Sequence, residues 1–189
     1  MAGHDVESPS PWVRRFARLI HSGARVLDVA CGNGRHAKFF AARGCEVDAV
    51  DREAACAEAL AGAPRIRFLC VDIENGPWPY AGQTFDAVIV TNYLHRPLLP
   101  VLNAAIADGG VLLYETFAAG NARYGKPSNP AFLLQPRELL DAFGGHLHVL
   151  AYEDGYIELP RPARVQRICV LRGRDPAGAG ALLAEASVA

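Results

Sequence analysis

Three aspartates and two glycines carry the most specific chemistry in this sequence. Asp28, Gly32 and Gly34 fall within VLDVACGNGRH (26–36), Asp51 closes CEVDAVD, and Asp72 closes RIRFLCVD. Each acid follows a short apolar, β-branched run of the kind that forms a buried strand, so each carboxylate is expected at the carboxyl end of a strand. Gly32 and Gly34 let the chain turn sharply and let a ligand press against bare backbone. Asp51 stands 23 positions beyond Asp28. That is about the separation at which an acid meets the ribose hydroxyls of a nucleotide-like cofactor, and a carboxylate suits the task because it accepts two hydrogen bonds at once.

The elements that must hold these residues follow in a regular beat. Ser10 and Pro11 form a helix start ahead of Trp12, Phe16, Leu19 and Ile20. After the strand ARVLDVA, a helix runs from the glycines to Gly44; then come the strand to Asp51, an alanine-rich helix, and the strand to Asp72. FDAVIVTN is a fourth strand, RPLLPVLNAAIADGG carries a helix broken near Pro97 and Pro100, and GGVLLYETF is a fifth strand. Residues 118–135 read as an irregular polar loop, a candidate lid, followed by a short helix begun by Pro136. HLHVLAYEDG and RVQRICVLRG close the series as two strands with no helix between them. Alternating strands and helices predict an α/β fold: a Rossmann-like, doubly wound, seven-stranded sheet, mostly parallel, with an antiparallel edge hairpin. A single domain over 1–174 is expected, with a flexible N-terminus (1–9) and a frayed or disordered tail (175–189).

A dinucleotide site would show G-x-G-x-x-G, whereas Arg35 follows Gly34 here and Asp28 stands where phosphates would approach. That acid repels phosphate and favours a cation, which points to an adenosine cofactor bearing a sulfonium and an amino-acid tail. With that combination the sequence resembles the class I S-adenosylmethionine-dependent methyltransferases over about residues 10–173. LDVACGNGRHAKFFAARGCEVDAVD is similar to the small bacterial methyltransferases of the tellurite-resistance type, with Ala30 where that family more often has glycine. The resemblance implies that Asp28, Ala30, Gly32 and Gly34 line the methionine portion and the near edge of the ribose. Asp51 would hold the ribose hydroxyls and Arg52 would flank the adenine. Asp72 would accept from the adenine amino group beside the Ile73 backbone, and Asn92 would sit beneath the methionyl amino group. Plainer roles stand beside these: Asp28 as a cap of the following helix, and Asp51 and Asp72 as ordinary strand-end acids.

Methyl transfer from a sulfonium is an in-line displacement that asks mainly for positioning and exclusion of water, so no fixed catalytic residue is required. Weak candidates are His95, Tyr93 and Arg123, from the segments after the fourth and fifth strands; His95 equally fits a structural helix start. Cys31 reads as a small packing residue.

The 189 residues are 51% apolar and 21% charged with net charge −1, a globular composition without the basic excess that nucleic acid normally calls for. No apolar run approaches the ~20 residues of a membrane span, and the N-terminal stretch lacks a signal-peptide core. Five cysteines without a CxxC pair fit a reducing cytoplasm better than a disulfide framework or a zinc cluster, and no metal is expected. These features favour a cytoplasmic monomer or homodimer acting on a small-molecule acceptor. A cofactor-binding module without turnover, a nucleic-acid or protein methyltransferase, and a nicotinamide-dependent dehydrogenase are the alternatives.

Overall fold

The computed structural model describes residues 8–173. Most of the expected flexible N-terminus and the tail expected over 175–189 lie outside the described residues. The apolar runs form β1 (Arg25–Val29), β2 (Glu46–Asp51), β3 (Ile66–Cys70), β4 (Phe85–Thr91), β5 (Ile106–Phe117), β6 (His148–Ile157) and β7 (Ala163–Leu171). They make one seven-stranded sheet in the order β3-β2-β1-β4-β5-β7-β6. β1 to β5 are mutually parallel, whereas β7 is antiparallel to both β5 and β6.

The closing hairpin is at the sheet edge, but its second strand lies inside its first. The reason is in the two sequences. RVQRICVL is buried along most of its length, so β7 takes the position covered on both faces, while the more polar β6 is only partly buried throughout and takes the edge.

Neighbouring residues on the central strands point to opposite faces and meet different helices. Val26, Ile89 and Leu113 pack with α1 (Pro11–Phe16), α2 (Arg35–Ala42) and Leu60 of α3 (Ala55–Leu60). Leu27, Val88, Val90 and Leu112 pack with Leu102 of α4 (Leu99–Ala104) and with Leu139 and Phe143 of α5 (Glu138–Phe143). Burial on both faces explains why these strands read as continuous rather than alternating apolar runs.

The helix expected within RPLLPVLNAAIADGG ends at Ala104, and β5 starts at Ile106, ahead of the expected strand GGVLLYETF. Ile106 already pairs with Phe85 of β4, and a register shift between that pair and the Ala87–Val111 pair absorbs the extra residues. Strand pairing overrides the local alanine-rich pattern here.

At α1 the Ser10 hydroxyl accepts from Trp12 N–H at 3.1 Å, the expected cap. The same hydroxyl donates to Glu115 Oε1 at 2.7 Å, and Arg167 donates to Glu115 Oε2 at 3.1 Å. Trp12 and Phe16 are buried in the core with ring centroids 4.7 Å apart.

Gly34 shows why one glycine of the β1–α2 turn is needed. Its φ is +71°, and an added Cβ would lie 2.3 Å from Leu60 Cδ2, with Leu60 Cγ at 2.9 Å. Gly34→Ala combines left-handed strain with overpacking, so a loss of about 2–4 kcal/mol is expected. Urea denaturation of Gly34→Ala, Leu60→Ala and the double variant checks this. The double variant should lose less than the sum of the two single changes, whereas strict additivity would place the cost elsewhere.

Candidate active site

The parallel strands deliver their carboxyl ends to a cavity of about 410 Å³ beside the β1/β4 junction, where the strand order switches. Ala30 enters after β1, Asp51, Arg52 and Glu53 at and after β2, and Asp72, Ile73 and Glu74 after β3. Asn92, Tyr93 and Leu94 follow β4, Thr116 and Phe117 end β5, and Pro127 and Phe132 come from the loop beyond it. Of the residues singled out in the sequence, Ala30, Asp51, Arg52, Asp72, Ile73, Asn92 and Tyr93 therefore line the cavity. Asp28, Gly32, Gly34, His95 and Arg123 are not in its lining.

Asp51 organises the turn after β1. Its Oδ2 accepts from Gly32 N–H at 2.8 Å and its Oδ1 from Glu53 N–H at 3.0 Å. Cys31 N–H donates to Val50 O at 3.0 Å, which carries the β1–β2 ladder into the turn. Each carboxylate oxygen still has capacity for a further donor. Gly32 has φ +53° and open space where a Cβ would project. Cys31 is buried, and burial followed by the charges of Asp28 and Asp51 pushes its thiol pKa up, so it packs rather than reacts.

Two residues of the lining hold a left-handed backbone without being glycine: Ala30 at φ +52° and Asn92 at φ +56°. Such conformations concentrate at functional sites. The first also gives a physical reason for the glycine more common at that position in the resembling family.

Asp28 has the plainer of its two roles. It is 1% exposed, and its Oδ2 accepts from Ala37 N–H in the first turn of α2 at 2.9 Å. Burial pushes its pKa up to about 8, against the lowering effects of the Ala37 hydrogen bond and of Arg35. Asp72 accepts from Asn75 Nδ2 at 2.9 Å and from Glu74 N–H at 2.8 Å, and these bonds hold its carboxyl below the usual range.

The Tyr93 hydroxyl is buried without a hydrogen-bond partner. Burial and then the Glu74 carboxylate raise its pKa, so it stays protonated. His95 Nδ1 lies 3.9 Å from Glu74 Oε2, and His95 begins the 3-10 turn Arg96–Leu98 without a side-chain capping bond. Arg96 is committed to the loop after β5. It contacts Glu138 Oε1 and Oε2 at 2.6 and 2.9 Å and donates to the Ala131 and Leu133 carbonyls at 2.8 and 2.9 Å.

Glu53, Glu74, Leu94, Phe117, Pro127 and Phe132 were not anticipated. The strand-end position of Phe117 is a signal that could have found it; Pro127 and Phe132 reach the cavity only through tertiary packing of an irregular loop. Beneath the site, buried His36 accepts from Ser10 N–H at Nε2, 3.1 Å, and has Thr91 Oγ1 3.4 Å from Nδ1. Burial, then Arg35, lowers its pKa to about 3.

Seven strands in this order, with one reversed next to the edge and the cavity at the switch point, define the fold of the class I methyltransferases. Residues 26–108 match a methyltransferase domain family. It is similar to TehB from Haemophilus influenzae at 18% identity and a TM-score of 0.72, covering 87% of this chain and 63% of that one. It is 38% identical over 109 residues to an uncharacterized methyltransferase of Mycobacterium bovis, covering 53% of this chain and 54% of that protein. It is 29% identical over 170 residues to trans-aconitate 2-methyltransferase of Variovorax paradoxus, covering 78% of this chain and 64% of that protein. The chain thus spans about half to two thirds of the length of these curated relatives.

The shifted groups set opposite pH dependences. Folded Asp28 titrates near 8 against an ordinary 3.8, so its stabilising contribution is full below 3.8 and is lost as pH rises to about 8, by about 1.4 kcal/mol per pH unit. His36, at about 3 folded against an ordinary 6.5, loses its contribution as pH falls through that interval. Asp28→Asn places a neutral group at the same position and is expected to flatten the decline in urea midpoint between pH 6.5 and 8. An equal decline in both proteins would show that Asp28 is ionised when folded.

Proposed function

We propose that this chain is an S-adenosylmethionine-dependent methyltransferase that binds the methyl donor in the strand-end cavity and methylates a small-molecule acceptor, releasing S-adenosylhomocysteine. The observation that carries the reading is the Asp51 carboxylate, fixed by Gly32 N–H and Glu53 N–H at the mouth of the switch-point cavity. An acid held this way presents its remaining lone pairs to the vicinal hydroxyls of a ribose.

The residues present fit that donor. Asp51, Glu53, Asp72 and Glu74 face Arg52 alone among the charged side chains of the lining, an excess of acid that favours a cationic ligand over a diphosphate. Arg52, Asp72 and Ile73 then flank the adenine, and Ala30 and Asn92 present backbone to the methionyl portion. Asp28, Gly32 and Gly34 act from behind the cavity wall by setting the turn and the start of α2. The bound sulfonium supplies an activated methyl group, and the protein's task is to align the acceptor and exclude water. Tyr93, at the lining, is better placed than His95 or Arg123 to touch an acceptor.

No helix among the described residues is long and apolar enough to cross a membrane, and the cysteines are free. Free thiols suit a reducing compartment, and the proposal is a cytoplasmic enzyme with one domain over 1–174, acting as a monomer or homodimer. The trans-aconitate methyltransferase among its relatives supports a small organic acceptor.

Isothermal titration with S-adenosylhomocysteine tests the reading. Asp51→Ala should weaken binding by about 1–3 kcal/mol, since it removes a hydrogen-bonded carboxylate from both the ligand and the turn. Circular dichroism serves as the folding control. An unchanged dissociation constant, or no binding by the unaltered protein, would overturn the proposal.

A further inference from the structure

We infer that the methyl acceptor is an aryl carboxylate, methylated on a carboxylate oxygen; this rests on the methyl-transfer reading above. The argument starts from the division of the cavity. Its charged side chains all come from the segments at the ends of β2 and β3, whereas the wall formed by β5 and the following loop is Thr116, Phe117, Pro127 and Phe132. That wall holds no group able to take a proton at neutral pH.

Apart from the carboxylates at the ends of β2 and β3, which belong to the donor half of the cavity, the nearby candidates for a base are otherwise placed. His36 is buried and its two ring nitrogens face Ser10 N–H and Thr91 Oγ1. Glu115 is buried and holds Ser10 Oγ and Arg167. His95 lies outside the lining, 3.9 Å from Glu74. Tyr93 keeps its proton and offers only a donor. An acceptor atom on this side must therefore arrive with its lone pair already free. A carboxylate, ionised far below neutral pH, meets that condition, as does a weakly basic aryl amine; a phenol or an ammonium does not.

The rim points to the same sign of charge. The Arg161 guanidinium lies 5.4 Å from the centroid of the Phe117 ring, and Lys126 adjoins Pro127 in the lining. Neither forms an ion pair among the described residues, nor does Arg123 in the same loop, while Asp154 on β6 is taken by Arg164 at 2.7 Å. The body of the ligand is set by exposed aromatic surface. Phe132 is 53% exposed although it lines the cavity. Phe117 lines the cavity with it, from the end of β5. The aromatic faces of Phe117 and Phe132 favour a flat aromatic guest, and the Arg161 guanidinium over Phe117 favours an anionic one.

The reaction balances without a proton transfer. A carboxylate oxygen forms a bond to the methyl carbon as the carbon–sulfur bond breaks, and that electron pair returns to sulfur. An anion and a sulfonium become a neutral methyl ester and a neutral thioether.

The test uses the full chain. S-adenosylhomocysteine binding is measured first by calorimetry. Benzoate, phenylacetate and cinnamate, with their amides and with phenol, aniline and an aliphatic tricarboxylate, are then incubated with S-adenosylmethionine, and products are read by mass spectrometry. The expected result is a methyl ester from at least one aryl carboxylate and no product from its amide. Arg161→Ala should raise KM for that acid roughly two- to fivefold at unchanged kcat, as loss of an exposed charge does, and Arg161→Lys should restore most of it. Phe132→Ala should raise KM roughly tenfold through lost apolar contact. If S-adenosylhomocysteine binds but no aryl carboxylate is methylated, or a phenol, amine or tricarboxylate is methylated in its place, the acceptor assignment falls while the methyltransferase reading stands. An active carboxylate whose KM ignores both rim changes also overturns it. Absence of S-adenosylhomocysteine binding removes both.

Discussion

A single hydrogen bond, from Gly32 N–H to Asp51 Oδ2 at 2.8 Å, ties the architecture to the cavity. Parallel pairing sets Val29 beside Val50, and Cys31 N–H extends that ladder by one more bond to Val50 O. The chain must then leave the sheet within a few residues, and it does so through left-handed Ala30, Gly32 and Gly34. The Asp51 carboxylate secures this departure from the neighbouring strand. α2 can start only where that turn ends, and its first turn is secured from below by Asp28 through Ala37 N–H. One side chain is thus shared between the sheet, the turn and the ligand cavity, so changes at Asp51 reach all three.

The cavity has two chemically distinct halves because two kinds of segment build it. The residues directly after β2 and β3 form turns whose carboxylates satisfy their own backbone, as Asp72 does for Glu74 and Asn75. The segment after β5 is long and folds back over the sheet. It is pinned by Ala119 N–H to Leu134 O and by the four contacts of Arg96. This segment contributes carbon surface where the first two contribute charge. The asymmetry suits a reaction between two molecules that must lie side by side without sharing a binding chemistry.

Much of this was legible in the amino-acid order because local rules decided it. Apolar β-branched runs ending in acids located the strands and their carboxyl ends. The Ser-Pro start located α1, and the glycines located the turn. What escaped was decided by contacts distant in sequence. RVQRICVL took the inner position because it is the more apolar of the last two strands, a comparison that neither strand reveals alone. The end of α4 was set by the pairing of Ile106 with Phe85. Gly34 looked like a ligand-facing residue, yet its missing Cβ makes room for Leu60. Asp28 was legible both as a ligand contact and as a cap, and one of its oxygens accepts from Ala37 N–H of α2. Phe132 and Pro127 sit in a stretch with no periodicity, so nothing local announced that they face the cavity.

The inserted position of β7 also orders the assembly of the molecule in time. β6 leaves the ribosome before β7 but can join the sheet only through it. The first helix waits as well: Trp12 Nε1 donates to Ile168 O, and Ser10 closes on Glu115, whose other oxygen is held by Arg167. The edge strand β6 and the N-terminal helix therefore both dock on the same late-made strand. Until the last stretch is synthesised, a polypeptide with five aligned parallel strands has β5 as an open edge, and its N-terminal helix lacks part of its anchoring.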